Sequence, residues 1–229
     1  MRKVLRKLFR YIFILLLVSV VYAVLCRWVM PPVTITQLSS MVTGNGLKRD
    51  YVSWDEISAN AKLAAIAGED QLFPDHGGFD WKAMEKSLET NHKNRVRGAA
   101  ASTISQQTAK NVFLWQGEGV MKYIRKPPEF FYTKTIEWLW GKKRILCVYL
   151  NTIEMGKGIY GIEAASQFYF HKHAKDLSRR EAAMIVACLP NPKRFTVVPE
   201  SRFVQWKSGW ILRQMNNIQN DADIKQLIH

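Results

Sequence analysis

Glu69-Asp70-Gln71-Leu72-Phe73-Pro74-Asp75-His76 and, further along, Gly98-Ala99-Ala100-Ala101-Ser102-Thr103-Ile104-Ser105-Gln106-Gln107-Thr108-Ala109-Lys110-Asn111 are the stretches on which the reading of this 229-residue chain turns. The first follows a helical pattern over Asp55–Gly68, so Glu69 falls at a helix C-terminus, with Pro74, Gly77 and Gly78 marking a turn beyond it. A carboxylate there faces the negative end of the macrodipole, which costs roughly a few tenths of a kcal/mol, and local structure favours lysine instead. Acids placed against the dipole point to function, since like-charge repulsion raises a carboxylate's pKa towards that of a working base. A lone Glu-Asp pair is ordinarily an exposed loop feature; the full pattern Glu-Asp-x-x-Phe-x-x-His-x-Gly is more specific. In the second stretch Thr103-Ile104-Ser105-Gln106 is a capping box that predicts a helix towards Val112. Thr103, Gln107, Lys110 and Asn111 then share one helical face. Ser102 and Thr103 lie at its N-terminus, where backbone N–H groups attract phosphate, and Lys110 extends the anion site. A solvated polar face is the plain alternative on spacing alone.

Outward from these, Arg125-Lys126-Pro127-Pro128-Glu129 places a planar fork and a point charge before a helix that Pro127-Pro128 opens and that reaches about Trp140. Glu129 in its first turn is favoured by the dipole whatever its role. Ile145, Leu146, Tyr149, Thr152 and Ile153 form a core stripe on a helix from Lys142 to Ile153. Further helices are expected over Asp80–Asn91, Gly161–Phe170, Ser178–Leu189 and Pro199–Asn217, with Ser178 and Glu181 forming a capping box and Pro190 ending that helix. Ser53-Trp54-Asp55-Glu56 is a capping box expected to open the helix that ends before Glu69. Strands are hard to find beyond short pieces, so the class is mainly α.

Tyr11 to Cys26 is an uncharged run of sixteen residues between Arg10 and Arg27. A membrane-spanning helix needs about 17–25 apolar residues, and snorkelling arginines with Trp28 at the interface make up the difference. Arg2, Lys3, Arg6, Lys7 and Arg10 precede it, against Arg27 soon after, which predicts a cytoplasmic N-terminus. No small-x-small cleavage site precedes Arg27, so an uncleaved anchor is expected rather than a signal peptide. Pro31–Asp50 holds Pro31-Pro32 and Gly44-Asn45-Gly46 and reads as a linker or juxtamembrane segment. A net charge of +14 outside the cytoplasm fits anionic headgroups or a pyrophosphate substrate and argues against nucleic acid. Cys26, Cys147 and Cys188 read as small buried hydrophobes, not as a disulfide framework or metal ligands.

Taken together, the stretches resemble the five motifs of the peptidoglycan glycosyltransferases, glycosyltransferase family 51, in family order from Trp54 to Phe195. The resemblance implies a lysozyme-like, two-lobed α domain over 53–229, behind a basic cytoplasmic tail (1–10), a transmembrane anchor (11–28) and a juxtamembrane linker (29–52). It implies polymerisation of lipid II into β-1,4 glycan strands, with inversion and release of undecaprenyl pyrophosphate. Glu69 corresponds to the catalytic base and Glu129 to the second essential carboxylate, which either orders the cations or helps coordinate a divalent ion. Asp70, Phe73, His76, Ser102, Thr103, Gln107, Lys110, Asn111, Arg125 and Lys126 correspond to substrate-binding positions. Phe113, Leu114, Trp115, Trp138, Leu139 and Trp140 are expected to divide between core and bilayer contact. No cofactor is fixed; Mg or Mn near the pyrophosphate is the one to consider, and the metal ligands are unknown. Expected partners are lipid II, the growing glycan strand, membrane lipid and other cell-wall synthesis and division proteins. The expected place is the bacterial cytoplasmic membrane, single-pass, with the catalytic domain on its outer, periplasmic side. Two rivals are a lysozyme-type hydrolase and a non-catalytic scaffold of the wall machinery. Chain length and the lack of Ser-x-x-Lys and Lys-Thr-Gly argue against a transpeptidase.

Overall fold

The computed structural model describes residues 2–85, 102–116 and 119–229. The apolar run extends at its basic end into one continuous helix, α1 (Arg2–Leu25), so the tail expected over 1–10 is helical from Arg2 onward. Its 24 residues span about 36 Å, of which the uncharged Tyr11–Leu25 makes about 22 Å, so snorkelling arginines complete the crossing of a hydrocarbon core of about 30 Å. Among its residues only Ala23 is buried, as lipid-facing apolar side chains would be. Its exit is clamped to the rest of the chain. Trp140 Nε1 donates to the Ala23 carbonyl at 2.7 Å, and Arg144 donates to the carbonyls of Cys26 (3.0 and 2.8 Å) and Val29 (2.9 Å). These are carbonyls that a helix end leaves without partners.

The 29–52 segment is not a free linker. It holds α2 (Ile35–Val42), closed by a Thr34/Gln37 capping box, and β1 (Lys48–Arg49). β1 pairs in parallel with β3 (Ile159–Tyr160), which pairs antiparallel with β2 (Glu154–Gly156), in the order β1-β3-β2. Gly158, at φ +71°, lets the β2–β3 turn close on this segment: a Cβ there would lie 2.1 Å from the Asn45 carbonyl oxygen. The Asn151 side chain accepts from the Val52 N–H at 2.9 Å and donates to its carbonyl at 3.1 Å, tying the chain down again.

The helix before Glu69 starts later than its capping box suggests. Ser53 and Glu56 do form the box, yet it closes a single 3₁₀ turn, Trp54–Glu56. Ile57 is extended, and α3 (Ala59–Glu69) begins from Ser58, whose side chain accepts from the Ala61 N–H. From Ala61 to Ala67 every residue of α3 is buried, which makes it the axis of the domain. It packs against α9 (Arg179–Ala187) and α10 (Arg202–Ile218), with α11 (Ala222–Ile228) over its start. A second helical group comprises α4 (Ile104–Phe113), α6 (Lys126–Leu139) and α7 (Gly141–Thr152), with α5 (Val120–Ile124) preceding α6. α8 (Ile162–Phe170) joins the small sheet to α9. The expected starts of α4 at Thr103 and of α9 at Ser178 are found, each with a complete capping box. Residues 81–85 are helical, as expected of Asp80–Asn91, whose remainder lies outside the described residues. The short helices α2, α5 and α11 were not foreseen. Glu69, the last residue of α3, comes where the two helical groups meet.

Candidate active site

Gly68 sets the position of Glu69. A Cβ at Gly68 would lie 2.7 Å from Val186 Cγ1 and 3.2 Å from Ile211 Cδ1, so α3 can press against α9 and α10 at this point only without a side chain. The next residue, Glu69, turns away towards α4. Its Oε2 accepts from Gln107 Nε2 at 2.9 Å, and Gln107 Oε1 accepts from the Tyr149 hydroxyl at 3.4 Å. Burial raises the Glu69 pKa above its ordinary 4.5; the Gln107 bond and the Lys207 and Lys110 charges pull against that, and Asp70 adds to it. Tyr149 is fully buried and its pKa stands well above normal, chiefly through burial and then the Glu69 charge.

Gln107 also lines a polar pocket of roughly 190 Å³ with Ser102, Gln106, Lys110, Lys122, Arg125, Lys126 and Glu129. Four cations around one carboxylate make this a site for anions. Glu129 is 3 % exposed, and both of its oxygens are engaged: Oε2 accepts from Arg125 Nε at 3.2 Å and Oε1 from Lys126 Nζ at 2.7 Å. Arg125 further donates from Nη1 to the Trp115 carbonyl at 2.9 Å. Pro127 and Pro128 occupy the first positions of α6 and leave Arg125 beside Glu129, one turn away. Burial lowers the Lys110 pKa from 10.5, and the Arg125 charge lowers it further; Glu129 and Glu69 oppose both. Lys110 thus lies within electrostatic reach of both carboxylates.

The other motif residues stand behind this wall. Both Asp70 oxygens lie 3.0 Å from His76 Nε2, and Oδ2 also accepts from the Ile104 N–H at 2.9 Å. His76 Nδ1 accepts from the Gly78 N–H at 3.1 Å, which puts the imidazole proton on Nε2, towards Asp70. Thr103 donates to the Gly78 carbonyl at 2.7 Å, accepts from the Gln106 N–H and is buried. Gly78, at φ +96°, sits against α6, where a Cβ would lie 2.8 Å from Thr133 Cγ2. Phe73 is fully buried, with Lys142 Nζ 4.6 Å from its ring centroid, and buried Asn111 accepts from Gln116 at 3.3 Å. Asp70, Phe73, His76, Thr103 and Asn111, expected to bind substrate, all make these contacts within the chain. The first amide of α4 is taken by the Asp70 carboxylate.

Sequence reasoning passed over Lys207, Tyr149 and Lys122. Lys207 on α10 carries its ammonium 3.9 Å from the Trp210 ring centroid; burial lowers its pKa and the Glu69 charge raises it. Its signal was present in the sequence: Lys207 falls between Val204 and Ile211, in the apolar stripe of an otherwise amphipathic helix. Of the six residues expected to divide between core and bilayer, Trp138 is 86 % exposed, Leu114 and Trp140 are buried and the rest are intermediate.

Residues 35–216 match the family model described as Transglycosylase. The chain belongs to the transglycosylase family. Its members include proteins named biosynthetic peptidoglycan transglycosylase from Escherichia coli strain K12 / DH10B and Escherichia coli O9:H4 strain HS. Each is 49 % identical over 193 residues, covering 83 % of this chain and 78 % of the relative. The family match starts at Ile35, the first residue of α2, in keeping with a 29–52 segment that is built into the domain. The mainly helical, two-lobed architecture is the lysozyme-like fold of this family.

Proposed function

We propose that this transglycosylase polymerises lipid II, with Glu69 as the base and the Lys110–Arg125–Lys126 cluster as the pyrophosphate site. The chain is a peptidoglycan glycosyltransferase. Glu69 takes the proton from the 4-hydroxyl of the acceptor GlcNAc as that oxygen attacks the anomeric carbon of the donor MurNAc. The C1–O bond to the pyrophosphate breaks on the opposite face, so the α linkage becomes a β-1,4 bond and undecaprenyl pyrophosphate departs with the electron pair. Lys110, Arg125, Lys126 and Lys122 meet the charge that develops there, as preorganised cations do in other active sites. Glu129 holds Arg125 and Lys126 in place and does not touch the reacting sugars. The observation carrying this reading is one part-buried carboxylate of raised pKa, oriented by Gln107 at the edge of a four-cation pocket.

The pocket offers one carboxylate, Glu129, already engaged by two cations. Were Mg²⁺ or Mn²⁺ to bind with the pyrophosphate, Glu129 is the pocket residue that would hold it, the phosphate oxygens and water supplying the other ligands, and it would add positive charge there; no step is assigned to it. The excess of basic residues in the first turns of α1 supports a cytoplasmic N-terminus and a catalytic domain on the outer face of the cytoplasmic membrane. Lipid II then reaches the pocket from the bilayer, and other wall-synthesis proteins would meet the domain there.

A hydrolase of the same fold would cleave a neutral glycosidic bond, for which this cation array has no use. The full chain in detergent, incubated with lipid II, should give glycan polymer together with undecaprenyl pyrophosphate. Release of muropeptides from intact sacculi, with no polymer from lipid II, would overturn the reading.

A further inference from the structure

A second cavity, of roughly 570 Å³, opens where the anchor leaves the membrane, apart from the polar pocket above. Its walls are largely aromatic and apolar: Trp28 and Met30 just past α1, then Val52, Trp54 and Trp140. Lys143 and Arg144 add positive charge at the same place. Two ammonium groups approach the Trp54 ring, Lys62 at 4.0 Å and Lys143 at 5.2 Å from its centroid. Lys62 is 5 % exposed, and burial lowers its pKa while the Asp55 charge offsets part of the effect. Among the described residues neither lysine nor Arg144 belongs to an ion pair. Trp54 is 8 % exposed and its indole N–H has no hydrogen-bond partner in the fold. Lys62 donates to the Ile228 carbonyl at 3.4 Å, but converging cations with no carboxylate partner are costly unless an anion completes them.

We propose that this cavity holds the phosphate headgroup of one anionic glycerophospholipid. Lys143 would meet the phosphate, with Arg144 beside it and the Trp54 ring as a wall. Arg144 already anchors the end of α1 through the Cys26 and Val29 carbonyls, so the headgroup would lie at the height where the anchor exits. The glycerol and first acyl carbons would rest against Trp28 and Trp140, and the chains would run along the exposed apolar side of α1. A basic pocket at this depth favours anionic over zwitterionic lipid. Apolar walls at the membrane surface favour a lipid over free phosphate. The lipid would fix the height of the catalytic cleft by binding where the clamp on α1 is made.

The test is native mass spectrometry of the full chain in a non-ionic detergent, titrated with phosphatidylglycerol, with phosphatidylcholine of the same chains, or with inorganic phosphate. The wild type should retain one phosphatidylglycerol. Lys143→Met should weaken that retention about tenfold, the scale of losing a charge-assisted hydrogen bond to one phosphate; Lys143 is exposed, so the variant keeps the fold. Lys143→Arg keeps the charge and should retain the lipid. Lys3→Met with Lys7→Met, which removes charge at the other end of α1, should leave it unchanged. Equal retention of phosphatidylcholine, displacement by an equal concentration of inorganic phosphate, or undiminished retention by Lys143→Met would each overturn the proposal.

Discussion

The hydroxyl of Tyr149 lies 3.4 Å from Oε1 of Gln107, and this contact decides which end of the Gln107 amide meets Glu69. With the oxygen held by Tyr149, the nitrogen points at the Glu69 carboxylate at 2.9 Å and favours its charged form. This bond lowers the Glu69 pKa, against the burial that raises it.

Replacing Tyr149 by Phe should therefore act on the base and not on substrate affinity. The amide is then free to turn its oxygen towards Glu69, which would raise the carboxylate's pKa further. The acid limb of the rate profile should move to higher pH, with kcat lowered at neutral pH and KM for lipid II little changed. The lost hydrogen bond costs about 1 kcal/mol of stability. A profile superimposable on wild type would remove Tyr149 from the site.

Glu69→Gln tests the base itself and carries a stability signature. Loss of a general base typically lowers the rate by about 10²–10⁴. The folded pKa lies above the ordinary 4.5, so the folded state binds this proton more tightly than the unfolded chain. The stability it contributes is full below pH 4.5 and is lost as pH rises through the folded pKa. The Gln variant has no such loss. It should melt higher than wild type at neutral pH, and the gap should close as the pH falls through that window. Polymerisation within a few-fold of wild type would end the assignment.

On the alkaline side the titrating group should be Lys110. Burial and the Arg125 charge lower its pKa from 10.5, so activity that needs the ammonium should fall at a pH below that value. Lys110→Arg keeps a charge that does not titrate in this range and should move the alkaline limb to higher pH. Lys110→Met preserves the apolar stem and should nearly abolish polymer formation. Steady-state rates across pH for the three proteins decide this, and an unmoved limb in the Arg variant would assign it to another group.

Much of this site was legible because its signals are local. A capping box at Thr103 and Gln106 fixes the start of α4, and a period of 3.6 then sets Gln107 and Lys110 on one face. Prolines at the first turn of α6 fix where Arg125 and Glu129 stand. What stayed hidden depends on contacts between distant segments. Asp70 and Ile104 are 34 residues apart, and nothing in either segment says that the carboxylate occupies the helix N-terminus that a phosphate was expected to take. The Tyr149–Gln107 contact spans 42 residues, and Tyr149 reads from sequence as one more core aromatic. α2 was missed because Pro31-Pro32 and Gly44-Asn45-Gly46 flank it, and turn signals at both ends of an eight-residue helix look like a linker. The box at Ser53 misled for a different reason: the same reciprocal bonds close a 3₁₀ turn as readily as they open a helix.

Asp70→Asn separates holding the wall from touching the substrate. The Asp70 carboxylate accepts from the His76 ring and from the first amide of α4 together, while 7 % exposed. Asparagine keeps one acceptor oxygen and presents an NH₂ where the second stood, so one buried donor loses its partner. That costs about 1–3 kcal/mol. For a domain of this size each kcal/mol lowers Tm by about 2–4 °C. The variant should melt measurably lower, with a KM for lipid II close to wild type in the fraction that remains folded, whereas Lys110→Met should do the reverse. A large rise in KM with unchanged Tm would place Asp70 in contact with the substrate and take α4's N-terminus out of its keeping.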